Sequence, residues 1–480
     1  MTDSIAREFA RWSTALTYDD LPAAIVDKVK ALLLQALVGG VYGGELPAMQ
    51  DVVRLAAAEE GRPDGATILG SGVKASRVGA AYANTELMYG ALLYDYFQAQ
   101  THPGPVLVSA ALVSAELSPT KLGGKDLRAV LTALAAGYEV TCRLADQFVP
   151  STFARGYRPA SVYPTLGAAV VTAKLMDLDE DGMLAAISLA ANSVSGLIEG
   201  RGGATDSVIH LPGAVRQGVF AAVMASTGRV RGAETIIEGD AGFYNAVIGN
   251  NRGELRFSHE GRTRVDLDAV ASDLGMTWRL LETTFHMYPL HGPGMPVIDL
   301  MTEMRARHKF DAGAIERVTV RMSYLDTVSP APAFPRRVPA APGPTSLHYY
   351  AAHVAVHGGF AQVGGKPYGH EGGEHGGHGA ADERVLAFAR EHVTVIGEYG
   401  RPGFSPQIEV RLKDGTTYLD EYPYARMYWD FDALVARLEA GSSALYPLGR
   451  ARFDALVEAV RHAERLDSLA SLHALVARGA

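Results

Sequence analysis

The sequence predicts a mainly α protein: one large all-helical domain built from both chain ends, with an α+β domain inserted between them. Three observations carry that reading. Up to about Arg264 the apolar residues recur at steps of three and four and are rich in alanine and leucine. Beyond it, stretches alternate apolar and polar residues as strands do. The chain end then returns to the composition of the beginning. The expected divisions are a helical domain over 1–265, an α+β domain over 266–425, and C-terminal helices over 426–480 that rejoin the helical domain.

The elements follow in order. Leu21-Pro22 opens a helix whose apolar positions Ile25, Val29, Leu32, Leu33, Ala36 and Leu37 share a stripe, with Gly39 and Gly40 expected to end it. Ser76 to Tyr96 and Gly124 to Val149 show the same spacing, and Asp179 to Gly196 is entered through acidic residues that favour a helix N-terminus. Several of these helices are apolar nearly all round, so they need cover from other helices or from a second subunit, and a homodimer is expected. In the second half, Ile315 to Met322 alternates, and Gln407 to Leu412 followed by Lys413-Asp414-Gly415 reads as a hairpin. The Pro-rich stretch from Ser329 to Pro344 reads as loop, and Ser346 to Val356 as helix. Phe431 to Glu439 and Arg450 to Ala477 read as the closing helices.

Composition excludes whole classes of function. With 480 residues, 48% hydrophobic and 20% charged, the chain has the makeup of a large globular protein. Its 44 basic and 53 acidic side chains leave a net charge of −9, so nucleic acid is not an expected partner. The single cysteine, Cys142, excludes an intramolecular disulfide and any multi-cysteine metal site, which suits a cytoplasmic protein, and it reads as a small core hydrophobe. The N-terminus has charges of both signs and no apolar run, so no signal peptide is read there. The longest apolar stretches, Ala31 to Tyr42 and Pro105 to Ala115, are shorter than the roughly 20 residues a bilayer span needs, so no membrane partner is expected. Walker, dinucleotide-binding and Gly-x-Ser-x-Gly motifs are missing. The tract His370-Glu371-Gly372-Gly373-Glu374-His375-Gly376-Gly377-His378 lacks the spacing of a helical His-Glu-x-x-His site and reads as a solvated loop, so no catalytic metal is assigned.

The informative constellation lies between Asn84 and Gly104: Tyr94-Asp95-Tyr96-Phe97, then Thr101-His102-Pro103-Gly104. It resembles the acidic motif and His-Pro-Gly turn of the MmgE/PrpD family. Gly137-Tyr138-Glu139-Val140 with Arg143-Leu144, Thr165 to Ala169 with Lys174 to Leu178, Ile209-His210-Leu211-Pro212-Gly213, and Ile237-Glu238-Gly239 through Phe243 are similar to further family segments in the same order. The resemblance implies a helical domain with an α+β lid, dimerisation through the helices, and chemistry on small carboxylates without an organic cofactor. That chemistry moves a proton beside a carboxylate, with loss of water, loss of carbon dioxide or inversion as the outcome.

The chain departs from its relatives at the motif positions. Gly90, Leu93, Tyr96 and Phe97 replace a histidine, two aspartates and a threonine. Arg158 replaces a histidine before proline, while Ser207 and His286 each replace a lysine. Each lost lysine removes a cation that would offset a buried carboxylate, so a substrate with fewer carboxylates is expected. By this resemblance the catalytic residues are His102, as base at the carbon next to the carboxyl group, His286, as proton donor to a departing hydroxyl, Tyr96, as donor to a developing enolate, and Asp95, as brace or actor. Arg158, Ser207, His210, Tyr288 and His291 are expected to bind substrate, Arg158 through its planar fork. The leading reading is a cofactor-independent dehydratase of a β-hydroxy carboxylate. Epimerisation, isomerisation or decarboxylation of a related acid, and a catalytically silent ligand-binding relative, are the alternatives.

Overall fold

The structure, a computed structural model, describes residues 3–98, 100–118, 125–199, 206–290, 292–328, 341–363 and 382–478. It is mainly helical. The helices Arg77–Gly90, Pro103–Glu116, Leu127–Ala145, Pro159–Leu175 and His210–Ala225 pack against one another. Pro103–Glu116 is buried from Pro103 to Ala115. Helices with no polar face end up inside because each large apolar side chain gains about 1.5–3 kcal/mol on leaving water. Their cover comes from this same chain, so their apolarity does not by itself call for a second subunit.

Polar residues at the expected starts act as caps. Ser76, Asp126, Asp179 and Ser346 accept the N–H of Gly79, Ala129, Gly182 and Tyr349, satisfying donors that the first helical turn leaves open. Two expected ends move. The first long helix runs through its glycines, as Ala23–Gly43. A Cβ on Gly39 would stand 2.5 Å from the Leu93 carbonyl oxygen, so that glycine permits a close chain crossing and does not stop the helix. The segment expected to be helical to Tyr96 stops at Gly90, and Asp95–Tyr96 is instead a two-residue strand. It pairs antiparallel with Thr284–Phe285 from the other half of the chain, Asp95 opposite Phe285 and Tyr96 opposite Thr284. The first half also contains a small Gly61–Thr67 and Lys74–Ala75 ladder, which the helical reading of that half omitted.

The second half contributes a four-stranded sheet in the order Val393–Glu398, Ile315–Ser323, Gln407–Leu412, Thr417–Glu421. The first pair is parallel and the others antiparallel. Ile408, Val410 and Leu412 are buried while the intervening residues are not, the period-two pattern read from the sequence. The helices Gly294–His308, Leu347–His357 and Glu383–His392 lie against this sheet. Phe431–Gly441 and Arg450–Arg461 pack on Ala23–Gly43, and the last helical stretch divides into Arg450–Arg461 and Ala470–Val476. The buried apolar cluster is continuous from Ile5 to Val476 and takes in the strand residues Val318 and Val320. Among the described residues no helix is long and apolar enough to cross a membrane. The tract from His370 to His378 lies outside the described residues.

Leu127–Ala145 and Pro159–Leu175 cross closely. A Cβ on Gly167 would overlap Thr141 Oγ1 and lie 2.8 Å from the Gly137 carbonyl oxygen. Gly167→Ala is therefore expected to destabilise the protein by about 1–3 kcal/mol, seen as a lower thermal midpoint. An unchanged midpoint would show that the crossing is looser than described.

Candidate functional site

The Asp95–Tyr96 and Thr284–Phe285 ladder brings His102 and His286 to one place from positions far apart in sequence. Tyr94 and Tyr96 project from the same face of their strand, since side chains alternate along it. The Tyr96 ring centroid is 4.5 Å from that of His102 and 5.1 Å from that of His286, edge-on to both. The Tyr94 ring lies 4.8 Å from His102 and stacks on His286 at 5.0 Å. The two imidazoles thus share the same pair of phenol rings, and all four side chains are buried.

Each imidazole is oriented by backbone. His102 is the N-cap residue of Pro103–Glu116, and its Nδ1 lies 3.2 Å from the Asp95 carbonyl oxygen. His286 Nδ1 lies 2.9 Å from the Leu92 carbonyl oxygen. A carbonyl only accepts, so in both rings Nδ1 carries a hydrogen. His286 is further fixed by its N–H donating to Tyr94 at 2.6 Å and by its carbonyl accepting from Gln35 Nε2 at 3.0 Å. Leu92, which aims its carbonyl at His286, has a φ of 57°, a left-handed conformation costly for a branched side chain and retained where surroundings over-determine it.

Burial pulls the His286 pKa down to about 4, with the Leu92 and Leu290 backbone opposing. At neutral pH the ring is uncharged with its proton engaged on Nδ1, so His286 has no Nε2 proton to give. The proton-donor role expected for it would need that hydrogen on Nε2.

The contacts of Asp95 fit the brace of the two roles expected for it. Its Oδ1 accepts Gly104 N–H at 2.7 Å and its Oδ2 accepts the Tyr138 hydroxyl at 2.7 Å. The carboxylate caps the helix that His102 begins, where the helix dipole favours a negative charge. Each oxygen accepts a protein donor, one of them at the start of the helix whose N-cap is His102. Burial raises its pKa to about 6, against the pull of Tyr138 and Gly104.

Arg158, N-cap residue of Pro159–Leu175, is buried, and its Nη2 donates to the Tyr89 hydroxyl. Tyr89 stacks on Tyr94 at 4.8 Å and lies 5.9 Å from His102. The guanidinium therefore sits one ring away from the imidazole. Burial lowers its pKa, while Tyr94, Tyr96 and Glu86 favour its charge. His210 begins the His210–Ala225 helix and lies against Gly196, whose carbonyl accepts the Arg158 N–H at 2.9 Å. The structure places it behind Arg158. Tyr288, expected to bind substrate, instead donates to Asp299 Oδ1 at 2.7 Å, in a network where Arg437 Nη1 meets Asp299 Oδ2 at 2.9 Å. Its hydroxyl is committed to that network. Ser207 falls in the Asp206–Ile209 turn, but its side chain, and His291 altogether, lie outside the described residues.

The sequence reading missed Tyr89, Tyr94 and Lys28. Tyr94 was legible from its two-residue offset to Tyr96. Lys28 was legible as a lone cation three residues after Ile25 and four before Leu32 on the apolar stripe. Its Nζ donates to the Trp429 carbonyl at 2.8 Å and lies 4.6 Å from the centroid of Phe285, a residue of the ladder. Burial lowers its pKa to about 7, and Asp95 is the leading opposing charge.

Comparison with known proteins places this geometry in context. The family model described as MmgE/PrpD N-terminal domain matches residues 7–256. The chain is 24% identical over 297 residues to a cis-aconitate decarboxylase of Aspergillus terreus, covering 60% of this chain and 58% of that protein. It is 23% identical over 335 residues to the cis-aconitate decarboxylase-like protein oryM of Aspergillus oryzae, covering 67% and 66%. It is 24% identical over 254 residues to the human cis-aconitate decarboxylase, covering 51% and 50%. The matches thus span between half and two thirds of these relatives' lengths.

A His286 pKa near 4, against about 6.5 for an exposed imidazole, means that the unfolded chain binds this proton more readily than the folded one below pH 6.5. Its contribution to stability is complete above pH 6.5 and is lost as pH falls toward 4. In an NMR titration of the ring nitrogens, His286 is expected to stay neutral with its proton on Nδ1 from pH 8 down to 5.5. A midpoint above pH 6 would contradict the assignment.

Proposed function

The chain belongs to the MmgE/PrpD family, and from that premise we propose that it is a lyase acting on a small β-hydroxy carboxylate by removing the proton beside the carboxyl group, with loss of water. The observation that carries this reading is the pairing of the two oriented imidazoles across Tyr94 and Tyr96, one ring from a buried guanidinium.

His102 Nε2 takes the α-proton. The electron pair of that C–H bond becomes the new double bond as the C–O bond breaks, and the proton now on His102 joins the departing hydroxide to leave as water. One imidazole thus serves as base and then acid, which accommodates a His286 that has no proton to deliver. His286 Nε2 accepts the hydrogen bond of the substrate hydroxyl and orients it. Arg158 holds the carboxylate, and the Tyr96 hydroxyl donates to the enolate-like oxygen, where a preorganised donor is worth more than in water.

A second reading has its own support, since the matched relatives are named for decarboxylation of cis-aconitate. In that outcome carbon dioxide leaves, its electron pair stays on carbon, and protonated His102 supplies the replacing proton. Assays of one substrate panel for unsaturated product, carbon dioxide and solvent deuterium in the product separate the two. Elimination yields the unsaturated acid without carbon dioxide, whereas decarboxylation yields carbon dioxide with one solvent deuterium. In either case His102→Ala is expected to lower kcat/KM by roughly a hundredfold or more with the fold intact. A loss of less than about threefold would remove His102 from the mechanism.

Assembly as a homodimer is part of the same proposal. Ile209, Phe220 and Met224, at the start of and along His210–Ala225, expose 59%, 51% and 39% of their surfaces and lie on one stripe of that helix. Light scattering at micromolar concentration is expected to give twice the chain mass, and Phe220→Glu is expected to shift it to the monomer. A monomeric wild-type protein would refute this assembly.

A further inference from the structure

We propose that Trp429 is a positioning residue for His286, acting from behind the ladder through the residues that flank the imidazole in sequence. The proposal rests on the reading above in one respect, that His286 orients the substrate hydroxyl.

The ladder has two faces. Tyr96 stands opposite Thr284 and Asp95 opposite Phe285. Side chains alternate along a strand, so Phe285, one residue before His286, points away from Tyr96. Its ring is fully buried and stacks on Trp429, with centroids 6.0 Å apart and planes 8° from parallel. The long helix Ala23–Gly43 secures this stack. Lys28 Nζ donates to the Trp429 carbonyl at 2.8 Å and lies 4.6 Å from the Phe285 centroid, while Asp27 Oδ2 accepts Phe431 N–H at 2.8 Å.

A second branch leaves the same indole. The Arg437 guanidinium carbon lies 4.3 Å from the Trp429 ring centroid, within cation–π range. Arg437 Nη1 meets Asp299 Oδ2 at 2.9 Å, and Asp299 Oδ1 accepts the hydroxyl of Tyr288, two residues after His286, at 2.7 Å. Trp429 thus reaches Phe285 directly and Tyr288 through two side chains, and the backbone between those two residues carries His286. The indole is itself fixed, since its N–H donates to the Arg426 carbonyl at 2.9 Å.

The direct bonds of His286 need this support. Its N–H donates to Tyr94, its carbonyl accepts from Gln35, and its Nδ1 meets the Leu92 carbonyl. These contacts aim the ring only while the segment lies against Tyr94, and a ladder of two residues is too short to hold it there alone. Removing the indole would leave a void behind Phe285 that the surroundings fill only in part, letting the segment open and water reach the imidazole.

The test compares full-length wild type, Trp429→Ala and Trp429→Phe, the last keeping a flat ring against Phe285. In folded Trp429→Ala, amide hydrogen exchange at His286 is expected to be roughly tenfold or more faster, with the amides of Pro103–Glu116 within about threefold of wild type. The His286 ring titration is expected to move up from about 4 by about one pH unit or more. Turnover of a β-hydroxy carboxylate is expected to lose roughly tenfold in kcat. Trp429→Phe is expected to recover most of each loss. An unchanged His286 in folded Trp429→Ala, as a purely structural role would give, contradicts the proposal. So does faster exchange shared equally by Pro103–Glu116, or a Trp429→Phe as impaired as Trp429→Ala. Should Trp429→Ala fail to fold, wild type decides alone: the amides of His286 and Phe431 are expected to exchange through one opening with the same denaturant dependence, and separate openings would overturn the proposal. Exchange and titration require no turnover, so a protein with these shifts but no lyase activity would sink the proposed reaction and leave the positioning role intact.

Discussion

One turn of one helix holds the site together. On Leu127–Ala145, Tyr138 donates to Asp95, while Glu139 accepts the backbone N–H of Arg279 and Leu280, each at 3.0 Å. Arg143 pairs with Glu139 at 2.6 Å and donates to the carbonyls of Ser272 and Thr277. The first contact fixes the strand that carries Tyr94 and Tyr96, and the others fix the segment that leads into Thr284–Phe285 and His286. Buried ions of this kind are costly unless every oxygen and nitrogen finds a partner, and here backbone amides and carbonyls supply the partners. This turn is one hold on the two-residue ladder, beside the His286 N–H bond to the Tyr94 carbonyl.

This dependence explains what the sequence disclosed and what it withheld. The helices with a clear stripe and a capping residue, such as Ser76 before Arg77–Gly90 or Asp179 before Glu180–Ala191, were legible because cap and period are local properties. The sheet strands were legible by alternation. Gly39 was misread as a stop because its reason for being glycine, the Leu93 carbonyl across the crossing, lies far along the chain. The Asp95–Tyr96 strand was misread as helix because only its partner, some 190 residues later, makes it a strand.

The site followed the same rule. His102, His286, Tyr96 and Arg158 were found from motif positions, and the fold brings them together. Their protonation was not legible, since the solvent-free surroundings that leave His286 neutral come from tertiary packing. Tyr288 was assigned to substrate and Asp95 to bracing or chemistry, and the structure gives both protein partners, Asp299 for one and Gly104 with Tyr138 for the other. A polar residue next to a motif histidine has either use, and burial geometry separates them. What emerges is a set of buried rings with the Arg158 guanidinium beside Tyr89 and the Asp95 carboxylate behind His102.

The central claim is that this turn and ladder build one enclosed site in which a carboxylate meets Arg158 while its α-carbon meets His102. Its most direct test is a crystal structure of His102→Gln with a bound β-hydroxy carboxylate. The account predicts electron density with the carboxyl group against the Arg158 guanidinium and the hydroxyl toward His286 Nε2, and with strands Asp95–Tyr96 and Thr284–Phe285 paired. Ligand bound elsewhere with these rings packed shut, or the two strands apart, would contradict it.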